Sequence, residues 1–426
     1  MSDLKDITCC FVDHGLYLPL ASKLAQTYRR VLYFTPWERG FPTINDCCLG
    51  DGFGDIERCD DLWKEKAEVD LFVFPDILHA GLQEELREQG FPVWGSGTGQ
   101  RLEMDRLEFL RTLSETGLPL PTLKEVRGIS ALREHLREEE DKYIKISKYR
   151  GTMETWHWRN WKLDSGTLDV LAVHLGSVRE LLRFLVFDAI DSDIEVGGDT
   201  YCIDGRFPNH LIEGYEWKDK SAFGAFKSRA DLAPALQDIL EAFGPVLGSH
   251  TYRNYFSMEV RGETFIDPCC RGPMPLTGSQ MEMYKNLPEI IYAGAQGELV
   301  QPEVEEEFCC ECVLTVKVEK EEWANVTVPH ALEGWMKLSH CCLADGVHGF
   351  PPYECRGEEI GWLVAIGDTP RSTLEKQLEQ VKLLPDGVCA GTDSLVNLLK
   401  EIQEAEAQGL EFSPHPTPEP AEAIQE

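Results

Sequence analysis

The pattern of apolar and polar positions near the start of the chain predicts strands and helices in alternation. Short apolar runs typical of buried strands occur at residues 7–12, 30–34, 69–75 and 91–94. Apolar positions at helical spacing lie between them, at residues 17–28 and 82–89. Strand, helix and strand in this order predict an open, parallel, doubly wound α/β unit that ends near residue 120.

The middle of the chain mixes helices and strands. Helices are predicted over residues 101–116, 130–139, 178–184 and 232–243, and strands over residues 143–147, 185–190 and 200–203. The first of these helices ends at Gly117, a residue type that favours the left-handed conformation after a helix.

Residues 258–271 predict two adjacent strands joined by a tight turn. Phe256, Met258 and Val260 lie at alternate positions of the first strand, Thr264 and Ile266 at alternate positions of the second, and Gly262 occupies the bend. This hairpin is the stretch on which the functional prediction depends.

From about residue 305 the pattern mixes short strands (313–318 and 362–366) with one helix (371–380). Residues 413–426 are rich in Pro and Glu, a composition that predicts disorder. No repeat of fixed period is present.

The net charge and the length of the chain exclude some classes of binding partner. The chain has 426 residues, which implies two to four packed units, and its formal net charge of −33 argues against polymeric nucleic acid as a partner. Small phosphorylated ligands remain compatible with this charge. Since no apolar run approaches the roughly 20 residues that a membrane span needs, we expect no membrane partner. The polar start of the chain predicts no signal peptide.

The 15 cysteines favour a reducing compartment, and we therefore expect a cytoplasmic protein. Ten of them lie in vicinal pairs, and the two cysteines of such a pair make a poor disulfide with each other. Cys309, Cys310 and Cys312 could suggest zinc, but no partner motif with zinc-finger spacing exists, so buried thiols are the better interpretation.

The predicted hairpin carries candidate chemistry. Glu259 and Asp267 would lie on its neighbouring strands, and two carboxylates on rigid strands suit Mg²⁺. Arg271 follows shortly and would place a fixed positive charge where a phosphate develops. Solvated acidic residues are the alternative interpretation.

Two segments could bind phosphate. Lys145 lies within a strand and precedes a loop that contains Gly151, a plausible triphosphate clamp, although a surface lysine at a sheet edge is the alternative. Residues 95–99 form a glycine-rich turn before a helix, but the turn lacks the Lys-Ser/Thr of a P-loop, so a structural turn is favoured.

Taken in order, these features resemble the ATP-grasp superfamily, and most closely the glycinamide ribonucleotide synthetases and related carboxylate–amine ligases. The resemblance extends from about residue 7 to residue 405. It implies that Arg106 replaces the lysine of an early helix, that Lys145 contacts the nucleotide, and that residues 148–155 form a flap over the phosphates. The implied flap residues are Lys148, Gly151 and Thr152.

The same resemblance assigns the remaining site residues. Those of the adenine hinge are Phe187, Asp188, Ala189 and Ile190. Glu195 matches the acid that binds the ribose hydroxyls, and Lys220 falls in the family's Asp-His-Lys stretch. Asp267 to Arg271 matches a Glu-x-Asn-x-Arg signature, with Asp267 for Glu and Cys269 for Asn. Glu259 and Asp267 are then the implied metal ligands, and Arg271 and Lys220 the implied catalytic residues.

The implied architecture is an α/β and α+β ATP-grasp fold. Its expected parts are an N-terminal open parallel α/β (pre-ATP-grasp) domain, residues 1–120; a small and a large ATP-grasp subdomain, residues 121–185 and 186–304; a small C-terminal α+β domain, residues 305–410; and a disordered tail, residues 411–426.

The implied activity is ATP-dependent ligation of a small-molecule carboxylate to an amine through an acyl phosphate, with Mg²⁺ or alternatively Mn²⁺. Two alternatives stay open: a nucleotide-binding protein that no longer catalyses, which Arg106, Asp267 and Cys269 favour, and a kinase of the same fold. The first β–α turn near Gly15 lacks the residues that hold a ribosyl phosphate, so a different acceptor is expected. The pattern leaves the substrates and the oligomeric state open.

Overall fold

The protein is described by a computed structural model that covers residues 3–35, 47–148, 155–190, 195–217, 220–319, 321–352 and 358–407. The predicted flap residues Gly151 and Thr152 and the predicted disordered tail lie outside these ranges. None of the helices in the described ranges combines the length and the apolar character that crossing a membrane requires.

The N-terminal sheet is parallel, as predicted. Its strands are β1 (Thr8–Val12), β2 (Arg30–Phe34), β3 (Glu57–Cys59), β4 (Leu71–Val73) and β5 (Val93–Trp94), in the order β3-β2-β1-β4-β5. The helices of this part are α1 (Leu18–Ala25), α2 (Leu62–Glu65) and α3 (Ala80–Glu88). All five residues of β1 are buried, which explains its uninterrupted apolar pattern.

The helix predicted over residues 101–116 is divided in two. Helix α4 (Arg101–Met104) ends at Asp105, whose extended backbone breaks the helix and whose side chain caps α5 (Arg106–Thr116). Gly117 ends α5 with φ 80°, as predicted.

A four-stranded antiparallel sheet follows. It contains β6 (Leu123–Arg127), β7 (Lys142–Ile146), β8 (Thr155–Trp158) and β9 (Arg183–Asp188), in the order β6-β9-β7-β8. Helices α6 (Ile129–His135) and α7 (Trp161–Leu175) contribute to a shared core with Ile144, Trp158 and Phe184. The helix predicted over residues 178–184 was wrong, because Gly176 ends α7 and β9 begins at Arg183, with Phe184, Leu185 and Val186 all buried.

The largest sheet runs through the rest of the chain. Its strands are β10 (Glu195–Ile203), β11 (His210–Trp217), β12 (Ser221–Ser228), β13 (Arg253–Arg261), β14 (Thr264–Cys269), β15 (Phe308–Val316), β17 (Met336–Leu338), β20 (Glu359–Gly367) and β21 (Val388–Ala390). The order is β14-β13-β10-β11-β12-β15-β20-β17, with β21 beside β15. A separate small sheet contains β16 (Ala324–Val326), β18 (Cys342–Ala344) and β19 (Val347–Phe350).

Helices cover both faces of the large sheet. They are α8 (Pro234–Ser249), α9 (Thr277–Met283), α10 (Leu287–Ala295), α11 (Pro370–Val381) and α12 (Leu398–Glu406). Phe243 of α8 packs on one face of the sheet, and Ile291 of α10 belongs to a core that continues into the N-terminal sheet. Because β15, β17 and β20 belong to the same sheet as β10–β14, the predicted boundary near residue 304 falls within a continuous sheet. The five predicted domains remain a prediction.

Candidate active site

The predicted hairpin is formed by β13 and β14, and it brings the two carboxylates together. Glu259 and Asp267 are directly paired across the antiparallel strands, and the register shifts at the next residue. Gly262 has φ 60° at the turn, a conformation that glycine adopts at little cost. Both side chains line the same cavity, so the geometry agrees with a shared site.

Asp267 faces two cations from other elements. The Lys145 ammonium, on β7, forms an ion pair with its Oδ2. The Nε of Arg106, at the start of α5, lies 3.9 Å from Oδ1, and the Arg106 side chain is 8% exposed. Arg106 also donates to the carbonyl of Ile146 at 2.9 Å, which holds the guanidinium against β7. Helix α5 and strand β7 therefore each bring a cation to the carboxylate of Asp267 on β14.

The carboxylate of Glu259 is less well compensated by positive charge than that of Asp267. Burial raises the pKa of its carboxyl group well above the ordinary value, and the negative charge of Asp267 raises it further, while Lys145 acts in the opposite direction. A bound cation would stabilise the ionised form and lower this pKa.

The main cavity has a volume of about 610 Å³ and lies between the four-stranded sheet and the large sheet. Lys145, Phe187 and Asp188 line it from the smaller sheet, and Glu259 and Asp267 from the larger one. Its other apolar or aromatic lining residues are Pro121, Tyr143, Ile190, Tyr215, Trp217 and Ile266. The lining thus combines apolar and aromatic side chains with carboxylates and a lysine.

A second cavity of about 240 Å³ shares Glu259 and Asp267 with the first and extends to Arg271. Arg271 is held by Glu103, whose Oε1 lies 3.0 Å from its Nε. The other oxygen of Glu103 accepts from the backbone N–H of Cys270 at 2.7 Å. The arginine is therefore fixed at the far side of the carboxylate pair.

Other predicted residues surround the main cavity. Glu195 lines it and is paired with Arg261 at 2.7 Å. Asp188 is exposed and bound by Lys142 at 2.6 Å, and the Phe187 ring lies 5.8 Å from the Lys145 ammonium. Ile190 lines the cavity as well, and Ala189 lies between it and Asp188 on the predicted hinge.

Two predicted residues lie apart from these contacts. Lys148 is 71% exposed and paired with Asp105 at 2.7 Å. Lys220 is exposed and lines neither cavity among the described residues. Its proposed catalytic role stays a prediction.

Sequence patterns missed several residues that line the two cavities. These are Glu103, Tyr143, Tyr215, Glu216, Trp217 and Glu401. Glu103 is adjacent to the segment matched for Arg106, which was the available signal. Glu401 is about 180 residues from Trp217 along the chain, so no local pattern could relate them.

The carboxylate pair fits a magnesium ion. Mg²⁺ is bound by one or two protein carboxylates and otherwise by water and phosphate oxygens, and the raised pKa of Glu259 marks a site where added positive charge is favourable. Within the described ranges no cluster of three or more His, Cys, Asp or Glu side chains could hold a metal by itself. Two carboxylates would leave the remaining positions around such an ion to other oxygen ligands.

Comparison with solved structures identifies the fold. The structural neighbours are ATP-grasp enzymes, and the chain has the ATP-grasp fold predicted from its sequence. No protein-family model matches the chain, and no curated protein matches its sequence.

Three of these neighbours show the extent of the similarity. Phosphoribosylamine–glycine ligase from Thermotoga maritima has a TM-score of 0.65 at 14% identity, over 90% of this chain and 99% of its own. The biotin carboxylase domain of Hydrogenobacter thermophilus 2-oxoglutarate carboxylase, solved with MgADP, ADP and bicarbonate, gives 0.64 at 12% identity, over 93% and 95%. L-amino acid ligase from Bacillus licheniformis gives 0.61 at 12% identity, over 91% and 98%.

Proposed function

We propose that the protein is an ATP-dependent ligase that joins a carboxylate to an amine through an acyl phosphate. The observation that carries this proposal is that Glu259 and Asp267 line two neighbouring cavities. The larger cavity has apolar and aromatic lining residues that suit a nucleoside. The smaller one is lined by Arg271, which suits a second, anionic substrate.

The residues of the larger cavity would bind ATP. Phe187 and Ile190 would contact the base, Glu195 the ribose hydroxyls, and Lys145 the phosphates, with Lys148, Gly151 and Thr152 as a predicted flap. Glu259 and Asp267 would hold Mg²⁺, which neutralises phosphate charge when bound. Lys145 would exchange part of its ion pair with Asp267 for the nucleotide.

The reaction would proceed in two steps. A substrate carboxylate attacks the γ-phosphorus, the bond to the β-phosphate oxygen breaks, and ADP leaves. An amine then attacks the acyl carbon, phosphate leaves, and the amine loses a proton to form the amide. Arg271 would stabilise the charge on the transferring group, since Glu103 holds its guanidinium in place.

A second candidate, a nucleotide-binding protein without turnover, is favoured by one observation. Asp267 is already paired with Lys145 and lies near Arg106, so its charge is compensated without a metal. The two functions differ in whether phosphate is released.

The test incubates the protein with ATP, Mg²⁺, a pool of amino acids and hydroxylamine, which traps acyl phosphates as hydroxamates. A ligase yields ADP and a hydroxamate that mass spectrometry identifies, and Asp267→Asn abolishes both. Glu263→Gln, at the exposed turn of the same hairpin, is the matched control and retains both products.

Binding of ATP with no release of ADP, across wider carboxylate and amine mixtures, would instead support the second candidate. A stable phosphorylated product that forms without any amine would indicate a kinase.

A further inference from the structure

The last described helix, α12, reaches the main cavity from the C-terminal end of the chain. Glu401 and Glu404 both line this cavity. Leu398 and Ile402, on the inner side of the same helix, are buried in a core with Phe223 of β12 and Phe308 of β15. Because this packing fixes α12 on the large sheet, the position of Glu401 is set by the fold.

Glu401 contacts an aromatic residue of the cavity lining. Its carboxylate is hydrogen-bonded with the indole of Trp217. Phe187, Ile190 and Trp217 line only the larger cavity, whereas the proposed metal ligands Glu259 and Asp267 line both cavities. Aromatic and apolar side chains suit a nucleobase, and Glu401 lies beside one of them.

The two glutamates of α12 differ in their surroundings. Glu401 is partly buried, and burial raises the pKa of its carboxyl group, while hydrogen bonding with the Trp217 indole opposes the shift. Glu404 is exposed, and its carboxylate is engaged by Lys400 at 2.9 Å. Glu401 is therefore the glutamate available to a ligand in the cavity.

We propose that Glu401 is a specificity determinant for the nucleobase: its carboxylate accepts a hydrogen bond from the 6-amino group of adenine and disfavours a base with a carbonyl group there. This inference rests on the proposed function, because it assumes that a nucleotide occupies the main cavity. Glu401 of α12 would then contact the base together with the predicted hinge residues.

The selection follows from hydrogen-bond chemistry. An ionised carboxylate only accepts hydrogen bonds. The 6-amino group of adenine donates, whereas guanine and hypoxanthine carry an accepting oxygen at the same position. A partly buried acceptor that faces another acceptor loses its solvation without gaining a bond, so such ligands are rejected.

Isothermal titration calorimetry with ATP, ITP and GTP in the presence of Mg²⁺ tests the inference on the full chain. Glu401→Ala should weaken ATP binding about tenfold, as expected for loss of one hydrogen bond to a charged group, and should strengthen ITP binding, because the two facing acceptors are separated. Glu401→Gln, which is isosteric and can donate to a carbonyl, should lower the preference for ATP over ITP by about tenfold or more.

Glu375→Gln on α11 is the control, because Glu375 is exposed and is not among the described lining residues of either cavity. Its ATP to ITP ratio should equal that of the wild type. A ratio unchanged in both Glu401 variants, with melting temperatures close to the wild type, overturns the inference and leaves the ligase intact. Failure of the wild type to bind any of the three nucleotides overturns the proposed function as well.

Discussion

Glu259 and Asp267 are paired across two strands, and their charges are compensated unequally. Asp267 has Lys145 as an ion-pair partner and Arg106 nearby. Glu259 is raised in pKa by burial and by the charge of Asp267. At the scale of single residues, the ionised carboxylates of Glu259 and Asp267 repel each other, and a bound divalent cation would reduce this repulsion.

Glu259→Gln should raise the stability of the ligand-free protein at neutral pH. The folded-state pKa of Glu259 lies above its unfolded value, so the native state retains the proton over the interval between them, and wild-type stability falls as pH rises through it. The variant should melt roughly 2 °C higher at pH 8 and differ little near pH 4. Calorimetric melting curves at both pH values check this, and Glu263→Gln should show no such dependence.

Lys145→Ala should raise the ATP concentration needed for half-saturation by about 10- to 100-fold, because a buried charge-assisted contact to phosphate is lost. Lys142→Ala, a neighbouring lysine on β7 that pairs with Asp188, is the control and should change this concentration little. Fluorescent nucleotide titrations measure both. Equal effects of the two substitutions would mean that Lys145 acts only through the general charge of the strand.

At the scale of elements, the break between α4 and α5 places Arg106 at the start of α5, close to Asp267 of the β13–β14 hairpin. The Asp105 side chain accepts from the backbone N–H of Leu107 and of Glu108, and it also pairs with Lys148. One residue thus starts the helix that carries Arg106 and holds the first residue of the predicted flap.

Asp105→Ala should destabilise the protein by about 1 kcal/mol through loss of the helix cap. Asp105→Asn retains an accepting oxygen and should cost only a few tenths of that, although it loses the ion pair with the exposed Lys148. Urea unfolding separates the two effects. If both substitutions destabilise the protein equally, the ion pair rather than the cap stabilises this element.

At the scale of the molecule, one carboxylate joins three parts of the chain. Glu282 on α9 lies 3.1 Å from Lys23 on α1 and 2.5 Å from Lys337 on β17. The Lys337 side chain is only 8% exposed, and burial lowers its pKa. Glu282 of α9 therefore links helix α1 near the start of the chain to strand β17 in its C-terminal part.

Glu282→Gln should destabilise the protein by about 2 kcal/mol at pH 7, because Lys337 loses its counter-charge while buried. The loss should shrink as pH rises from 7 to 10, because burial lowers the pKa of Lys337, so it releases more of its proton over this interval than an ordinary lysine and depends less on a partner. Denaturant unfolding at the two pH values measures this. Glu379→Gln, which breaks an exposed pair with Lys382, should cost less than about 0.5 kcal/mol.

Local patterns predicted much of the fold and part of the candidate site. The parallel sheet follows from short, uninterrupted apolar runs separated by helical patterns. The hairpin at Gly262, with Glu259 and Asp267 on neighbouring strands, follows from alternation along each strand and the glycine at the turn. The helix placed at residues 178–184 failed because apolar spacing alone does not separate a short helix from the strand β9, whose residues pack against α6 and α7.

The sequence by itself determined which segments form strands and which residue types meet at the hairpin, because side-chain direction alternates along a strand whatever surrounds it. Tertiary structure decided that Arg106 and Lys145 meet Asp267, that Glu103 fixes Arg271, and that Glu401 lines the same cavity as the carboxylate pair. These contacts join segments tens to hundreds of residues apart, and they exist only because the core of each sheet positions its neighbours. Their energies depend on burial, which no local pattern encodes.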